Sequence, residues 1–162
     1  MKISELTNKM IAFSNGNTHD INHLLKVWAF AKTIGESENL DAGTQFILEA
    51  TALVHDIACP LCREKYGNTN GKNQERESDP LVREFFKDSD LTVPQIDRIA
   101  YIVSHHHTYT NVDGIDYQIL LEADYLVNAD ESDFSRENEQ SVLENIFVTE
   151  SGKSLLRTIF LK

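Results

Sequence analysis

Apolar residues recur at helical spacing along almost the whole chain. Ile3, Leu6, Met10 and Phe13 share one face of a short N-terminal segment, and Asn15-Gly16-Asn17 ends it. Thr18 or Asp20 is placed to cap a second helix that runs to about Glu38. On it, His23, Val27, Phe30, Ala31 and Ile34 fall on or near one face, while Lys26, Lys32, Glu36 and Glu38 lie mostly on the other. Asp41 caps a third helix, Ala42 to His55, which is more apolar and so more central. After Asp56 the pattern gives way to a polar insert, Lys65 to Gln74, with two glycines. A loop of that length in a compact domain is usually functional or mobile, and its place after the strongest chemical motif favours an active-site loop.

Asp79-Pro80 then opens a helix with Leu81, Val82, Phe85 and Phe86 as its apolar face. Val93-Pro94 opens another, whose Ile96, Ile99, Ala100 and Val103 lead into Ser104-His105-His106-His107. Ile115 to Asn128 is an apolar helix broken by acids, Ser135 caps a helix containing Val142, Ile146 and Phe147, and Ser151-Gly152 breaks the chain before a short last helix with Leu155, Leu156, Ile159 and Phe160. No alternating strand pattern and no internal repeat occurs. The expected fold is all-α, with seven to nine helices in one domain over residues 1–162, the core at roughly 18–129 and C-terminal helices over 135–161 packed on it.

The bulk properties narrow the function. A chain of 162 residues can bury a sizeable core without staples. A net charge of −11 argues against broad nucleic-acid or anionic-membrane binding, because a phosphate backbone needs a basic surface. It leaves room for a small phosphorylated substrate, since a metal can reverse the field inside a cleft. No apolar run approaches a membrane span, and Met1-Lys2-Ile3-Ser4-Glu5 lacks the features of a signal peptide, so the expected location is cytoplasmic. The only cysteines, in Cys59-Pro60-Leu61-Cys62, lack both the second pair of a zinc site and the βαβ context of a redox motif; they read as two unconnected thiols in a turn.

The chemistry centres on Ala52-Leu53-Val54-His55-Asp56-Ile57, an apolar helical run ending in a histidine and an aspartate. Asp is rarely buried without a partner, and a divalent transition metal suits imidazole and carboxylate together. His23 and Asp124 can complete such a site, giving the set His23, His55, Asp56 and Asp124. His55 and Asp56 converge only if the helix ends there, because successive helical residues diverge by about 100°. Taken singly, each residue has a plainer reading: a core histidine, a helix-end charge pair, an aspartate paired with a lysine. All six histidines lie in or beside the candidate ligand regions, and the ordered set, each member in helical context, favours the metal.

The order His … His-Asp … Asp resembles the HD-domain superfamily of metal-dependent phosphohydrolases, over roughly Thr18 to Ala129. The local stretches Thr18-His19-Asp20-Ile21-Asn22-His23, Leu53-Val54-His55-Asp56-Ile57, Glu64-Lys65-Tyr66-Gly67, Ser104-His105-His106-His107-Thr108-Tyr109 and Glu122-Ala123-Asp124, with the tail Thr149-Glu150-Ser151-Gly152-Lys153, resemble a bacterial group of HD-domain phosphohydrolase-like proteins. The resemblance implies an HD-domain helical bundle holding one divalent transition metal ion (Fe, Mn, Ni, Co or Zn), with a second ion or substrate contacts as the role of His105 to His107. It implies hydrolysis of a small phosphorylated molecule, possible substrates including a nucleotide, by metal-activated water. Asp56 is then the catalytic metal ligand that orients the water, and Lys26, one turn after His23, is the first choice to offset phosphate charge. Lys65, Lys72 and Arg76 on the insert come next, with His106 as a further substrate contact. Several nucleotidase-type HD proteins carry a carboxylate shortly after the His-Asp pair; here Ile57, Ala58, Cys59 and Pro60 stand there, so Glu75 or Glu77 is the expected source. The competing readings are a degenerate HD module that binds a nucleotide or partner without turnover, and a di-iron oxygenase on the same fold.

Overall fold

The computed structural model describes residues 1–162 as nine helices and no strands: α1 (Ile3–Phe13), α2 (Thr18–Ser37), α3 (Ala42–Val54), α4 (Cys59–Tyr66), α5 (Gly71–Phe86), α6 (Val93–Val103), α7 (Ile115–Ser132), α8 (Arg136–Asn145) and α9 (Glu150–Phe160). The all-α bundle expected from the periodicity is the fold observed. Two helices are apolar nearly all round and form its centre. In α3 every residue from Ile47 to Val54 is buried, and α7 buries Asp116 and Tyr117 and then Ile119 through Val127. The amphipathic α2 packs across both through Leu24, Val27, Ala31 and Ile34, so three helices meet where α3 ends. The α5–α6 pair closes one side, α1 covers α3, and α9 touches α7 and α2.

Several local expectations are corrected. The cap of α2 is Asn17, whose side chain accepts from the Asp20 backbone N–H, rather than Thr18 or Asp20. Cys59-Pro60 starts α4, with Pro in the first turn, where its missing N–H costs nothing. The polar insert is mostly helical. It supplies the end of α4, a short link at 67–70 and the first turn of α5, with Gly67 in the left-handed region at φ 70°. Pro80 therefore sits inside α5 instead of opening a helix. An interior proline costs about 3 kcal/mol. Packing on both sides offsets that cost, because Gln74, Ser78, Val82, Phe85 and Phe86 form one buried stripe across it. The first half of that stripe is polar, so hydrophobic spacing alone does not register it. The segment Ala42–Tyr66 is, by length and composition, apolar enough to cross a membrane, contrary to the expectation that no run approaches that length; 72% of its apolar window is buried inside the protein.

Among the contacts that attach the C-terminal helices, one buried carboxylate gathers the most hydrogen bonds. Glu122 on α7 accepts from the Val148 and Thr149 backbone N–H groups at 3.1 Å each, from Gln118 Nε2 at 2.8 Å and from the Thr149 hydroxyl. Thr149 in turn caps α9 by accepting from the Gly152 N–H. Ser151-Gly152 thus lies within the first turn of α9 and does not break the chain. Glycine is required at 152, where a Cβ would lie 1.9 Å from Glu122 Oε1. Every partner of Glu122 is a donor. Glu122→Gln, which turns an NH₂ group toward those donors, is expected to destabilise the fold by about 2 kcal/mol, read as a lowered midpoint in urea unfolding.

Candidate metal centre

Helix α3 stops at Val54, and His55 is its C-cap residue, followed by a turn over 55–58. That stop lets two successive side chains point the same way. His55 Nε2 lies 3.5 Å from Asp56 Oδ2. From α2, His23 Nε2 comes to 3.2 Å from His55 Nε2 and 3.2 Å from Asp56 Oδ2. From the middle of α7, Asp124 Oδ1 lies 3.3 Å from His23 Nε2 and 3.4 Å from His55 Nε2. The structure therefore brings His23, His55, Asp56 and Asp124 to one point. His106, in the turn after α6, joins from behind, with Nε2 3.4 Å from Asp56 Oδ1.

The tautomers decide what this point is. His55 Nδ1 is 2.8 Å from the Ala52 carbonyl, His106 Nδ1 2.7 Å from the Val103 carbonyl, and His23 Nδ1 3.0 Å from Glu131 Oε2. Each of those oxygens can only accept, so each Nδ1 carries the proton and each Nε2 presents a lone pair. Three lone pairs and two carboxylates then face one another in a nearly dry interior, and such a set requires a cation. Spacings of 3.2–3.5 Å suit N and O donors each about 2.0–2.1 Å from a common centre. His106 Nε2 is buried without any hydrogen-bond partner, a further donor awaiting an acceptor of its lone pair. The residues present fit a divalent metal ion.

Protonation reflects the same field. With no ion bound, a proton takes the cation's place: burial disfavours a charged His23, but hydrogen bonds to Asp124 and Asp56, and their charges, carry its pKa up to about 11. A metal ion frees the Nε2 lone pair by displacing that proton. Burial likewise works against ionisation of Asp56 and Asp124, and the positive field of His55 together with the imidazole hydrogen bonds holds both well below the usual carboxylate range. At His107 nothing opposes burial strongly enough, and with His106 adding to it the pKa falls to about 4, leaving a neutral ring.

A family model described as HD domain matches residues 20–146, most of the chain. The chain belongs to the HD-domain family. That family is one of metal-dependent phosphohydrolases, and the buried His/Asp groups are compatible with it. No curated protein and no solved structure shows significant similarity to the chain.

In this HD domain His23, Asp56 and Asp124 form the floor of a polar cleft of about 180 Å³, with His55 and His106 buried behind them and His19, Asp20, Cys59, Arg63, Gln74, His107 and Glu131 among its walls. Arg63 is its one cation and was not singled out in the sequence, where it looks like a surface residue of Cys62-Arg63-Glu64-Lys65. Both its Nη groups donate to Asp20, at 2.7 Å each, which locks the guanidinium over the cleft. Lys26 is 51% exposed and 3.9 Å from Glu131, outside the cleft wall. Lys72 and Arg76 are exposed on α5 and do not line the cleft. Lys65 pairs with Glu77. Of the histidines expected to contact substrate, His106 is sealed behind Asp56, and His107 lines the cleft instead. Glu75 is taken by the Thr108 hydroxyl and Glu77 by Lys65 and Tyr66, so the additional cleft carboxylates are Asp20 and Glu131. The thiols of Cys59 and Cys62 are free and buried, and burial pushes both up.

Gly71 fixes the far wall. A Cβ there would lie 2.8 Å from His107 Cβ, so only glycine lets α5 begin against that ring. Glu131 holds His23 in the tautomer that ligation needs without itself being one of the converging donors. Outer partners of this kind are typically worth 10–100-fold in metal affinity. Glu131→Ala is expected to weaken manganese or zinc binding by about that factor in a competition titration while leaving the helical circular-dichroism signal unchanged.

Proposed function

We propose that the chain is an active metal-dependent phosphohydrolase, with one divalent ion held by His23, His55, Asp56 and Asp124, acting on a small hydrophilic phosphate ester. The observation that carries the reading is the convergence of oriented lone pairs and carboxylates at the floor of an open cleft. A degenerate module would have no need to keep every donor aligned. His55 also argues for a single ion. A second group that could hold a metal is His55, Asp56 and His106, but it shares His55 with the first, and His55 has one free lone pair. The two groups are therefore alternatives on one centre, which also weighs against a di-iron oxygenase.

When bound, the ion lowers the pKa of a coordinated water and polarises a phosphoryl oxygen. The chain supplies the rest. Asp56 spans the centre, with Oδ2 toward His23 and His55 and Oδ1 toward His106 Nε2. Oδ1 is the atom placed to take a proton from the attacking water, with the His106 lone pair next in line. Arg63, aimed by the two bonds from its Nη groups to Asp20, keeps further N–H donors for the phosphate oxygens, whereas Lys26, Lys72 and Arg76 do not line the cleft. Asp20 is a positioning residue that aims it. The cleft walls carry one weakly apolar residue, Cys59, and no Phe, Tyr or Trp, which favours a compact polar ester over a nucleotide.

Elemental analysis should find about one transition metal per chain, lost in Asp124→Ala. With metal supplied, Asp56→Ala should abolish phosphate-ester hydrolysis with helical content intact. Arg63→Ala should lower kcat/KM by about 100-fold, and Lys72→Ala should leave it within about twofold. Full activity in Asp56→Ala would sink the reading.

A further inference from the structure

Positive charge gathers in one place outside the metal cleft. A cavity of about 530 Å³ lies between α8 and α9, and its walls carry three cations, Arg136, Lys153 and Arg157, against a single carboxylate, Glu144. This is unexpected in a chain of 26 acids and 15 Lys and Arg residues. The cations are also poorly neutralised. Arg63, Arg83 and Arg98 each have a carboxylate within ion-pair distance, whereas Arg136 and Arg157, like the isolated Arg76 on α5, have none. Arg136 Nη1 donates only to the Lys162 carbonyl at 3.0 Å. Lys153 is 3.6 Å from Glu150, a carboxylate 85% exposed and therefore a weak partner. Glu144 accepts from Gln140 Nε2 at 2.8 Å, which occupies one of its oxygens.

The two arginines stand on opposite walls, Arg136 at the first position of α8 and Arg157 in the last turn of α9. Leu143 and Leu161 add apolar surface between them. The volume falls in the usual range of about 300–1,000 Å³ for small-molecule sites. We propose that this groove is a second ligand site, which binds a small anion carrying at least two phosphate charges between Arg136 and Arg157. Size follows from electrostatics. Screening confines the groove's field to about 8 Å at physiological salt, so a compact anion meets the local excess of cations. A long polyanion or an acidic protein surface meets the net charge of −11 as well. Planar guanidinium forks on two sides match phosphate oxygens bidentately. This inference does not rest on the proposed hydrolysis.

The test is calorimetric titration of pyrophosphate into the full chain at low ionic strength, with EDTA present to silence the metal cleft. One pyrophosphate per chain is expected, with affinity falling as salt rises. Arg136→Ala/Arg157→Ala should weaken it by at least about tenfold while the melting temperature stays put, since both side chains are exposed. Lys substitution at both positions should restore part of the affinity. ADP binding as tightly as pyrophosphate identifies the phosphates alone as the recognised group, and tighter ADP binding adds Leu143 and Leu161 to the site. Absence of pyrophosphate binding, binding indifferent to the double variant, or binding of an oligoglutamate peptide in place of pyrophosphate would each overturn the proposal.

Discussion

Three imidazole nitrogens and two carboxylates converge where α2, α3 and α7 cross, and the rest of the architecture is arranged to permit it. Each Nδ1 proton is committed elsewhere, to Ala52, Val103 or Glu131, so no rotation about the rings relieves the crowding of lone pairs. The helices accommodate this in specific ways. α3 ends one residue before His55 so that two adjacent side chains face the same point. α7 carries Asp124 through the driest part of the bundle, where an uncompensated carboxylate costs several kcal/mol. Asn128, one turn further along α7, donates to Asp124 Oδ1 at 3.0 Å and orients it. A cation held by His23, His55, Asp56 and Asp124 would satisfy the donors at the crossing and would brace the bundle as well as supply its chemistry.

What could be read from the sequence and what could not divides along contact distance in the chain. His55, Asp56 and Asp124 were legible because each sits on an apolar helical run, where a polar residue is conspicuous, and His23, on an amphipathic helix, only through its order with them. His55-Asp56 at the end of Ala52-Leu53-Val54 and Asp124 within Leu120–Val127 stand out without any knowledge of the fold. The supporting residues were not. Arg63 is one cation in a charged stretch until the fold places Asp20, 43 residues away, against it. Glu131 lies beyond the expected end of α7 at Asn128 and pairs with a histidine 108 residues earlier. The start of α5 was hidden because its buried stripe begins with Gln74 and Ser78, and the start of α9 because Gly152 reads as a breaker until Glu122 is seen to need the room. Turn residues carry meaning in both directions, and only the tertiary neighbour decides which.

On the proposed reading, the charge distribution explains how an acidic chain would serve an anionic substrate. The cleft walls hold Asp20, Asp56, Asp124 and Glu131 against the single guanidinium of Arg63. As a set of side chains this is a site that repels phosphate. A divalent ion among the donors removes most of that repulsion, and Asp20 spends its charge on Arg63, so the remaining negative groups are each engaged. On the proposed reading, metal loading and substrate binding would be coupled by electrostatics: the field at the cleft mouth would favour an anion only when the floor is filled. The α8/α9 groove has the opposite character, its cations left free and its one carboxylate bonded to Gln140. Glu122 fastens the start of α9 to α7 two residues before Asp124, so one helix carries both a metal donor and an anchor of the groove's α9 wall.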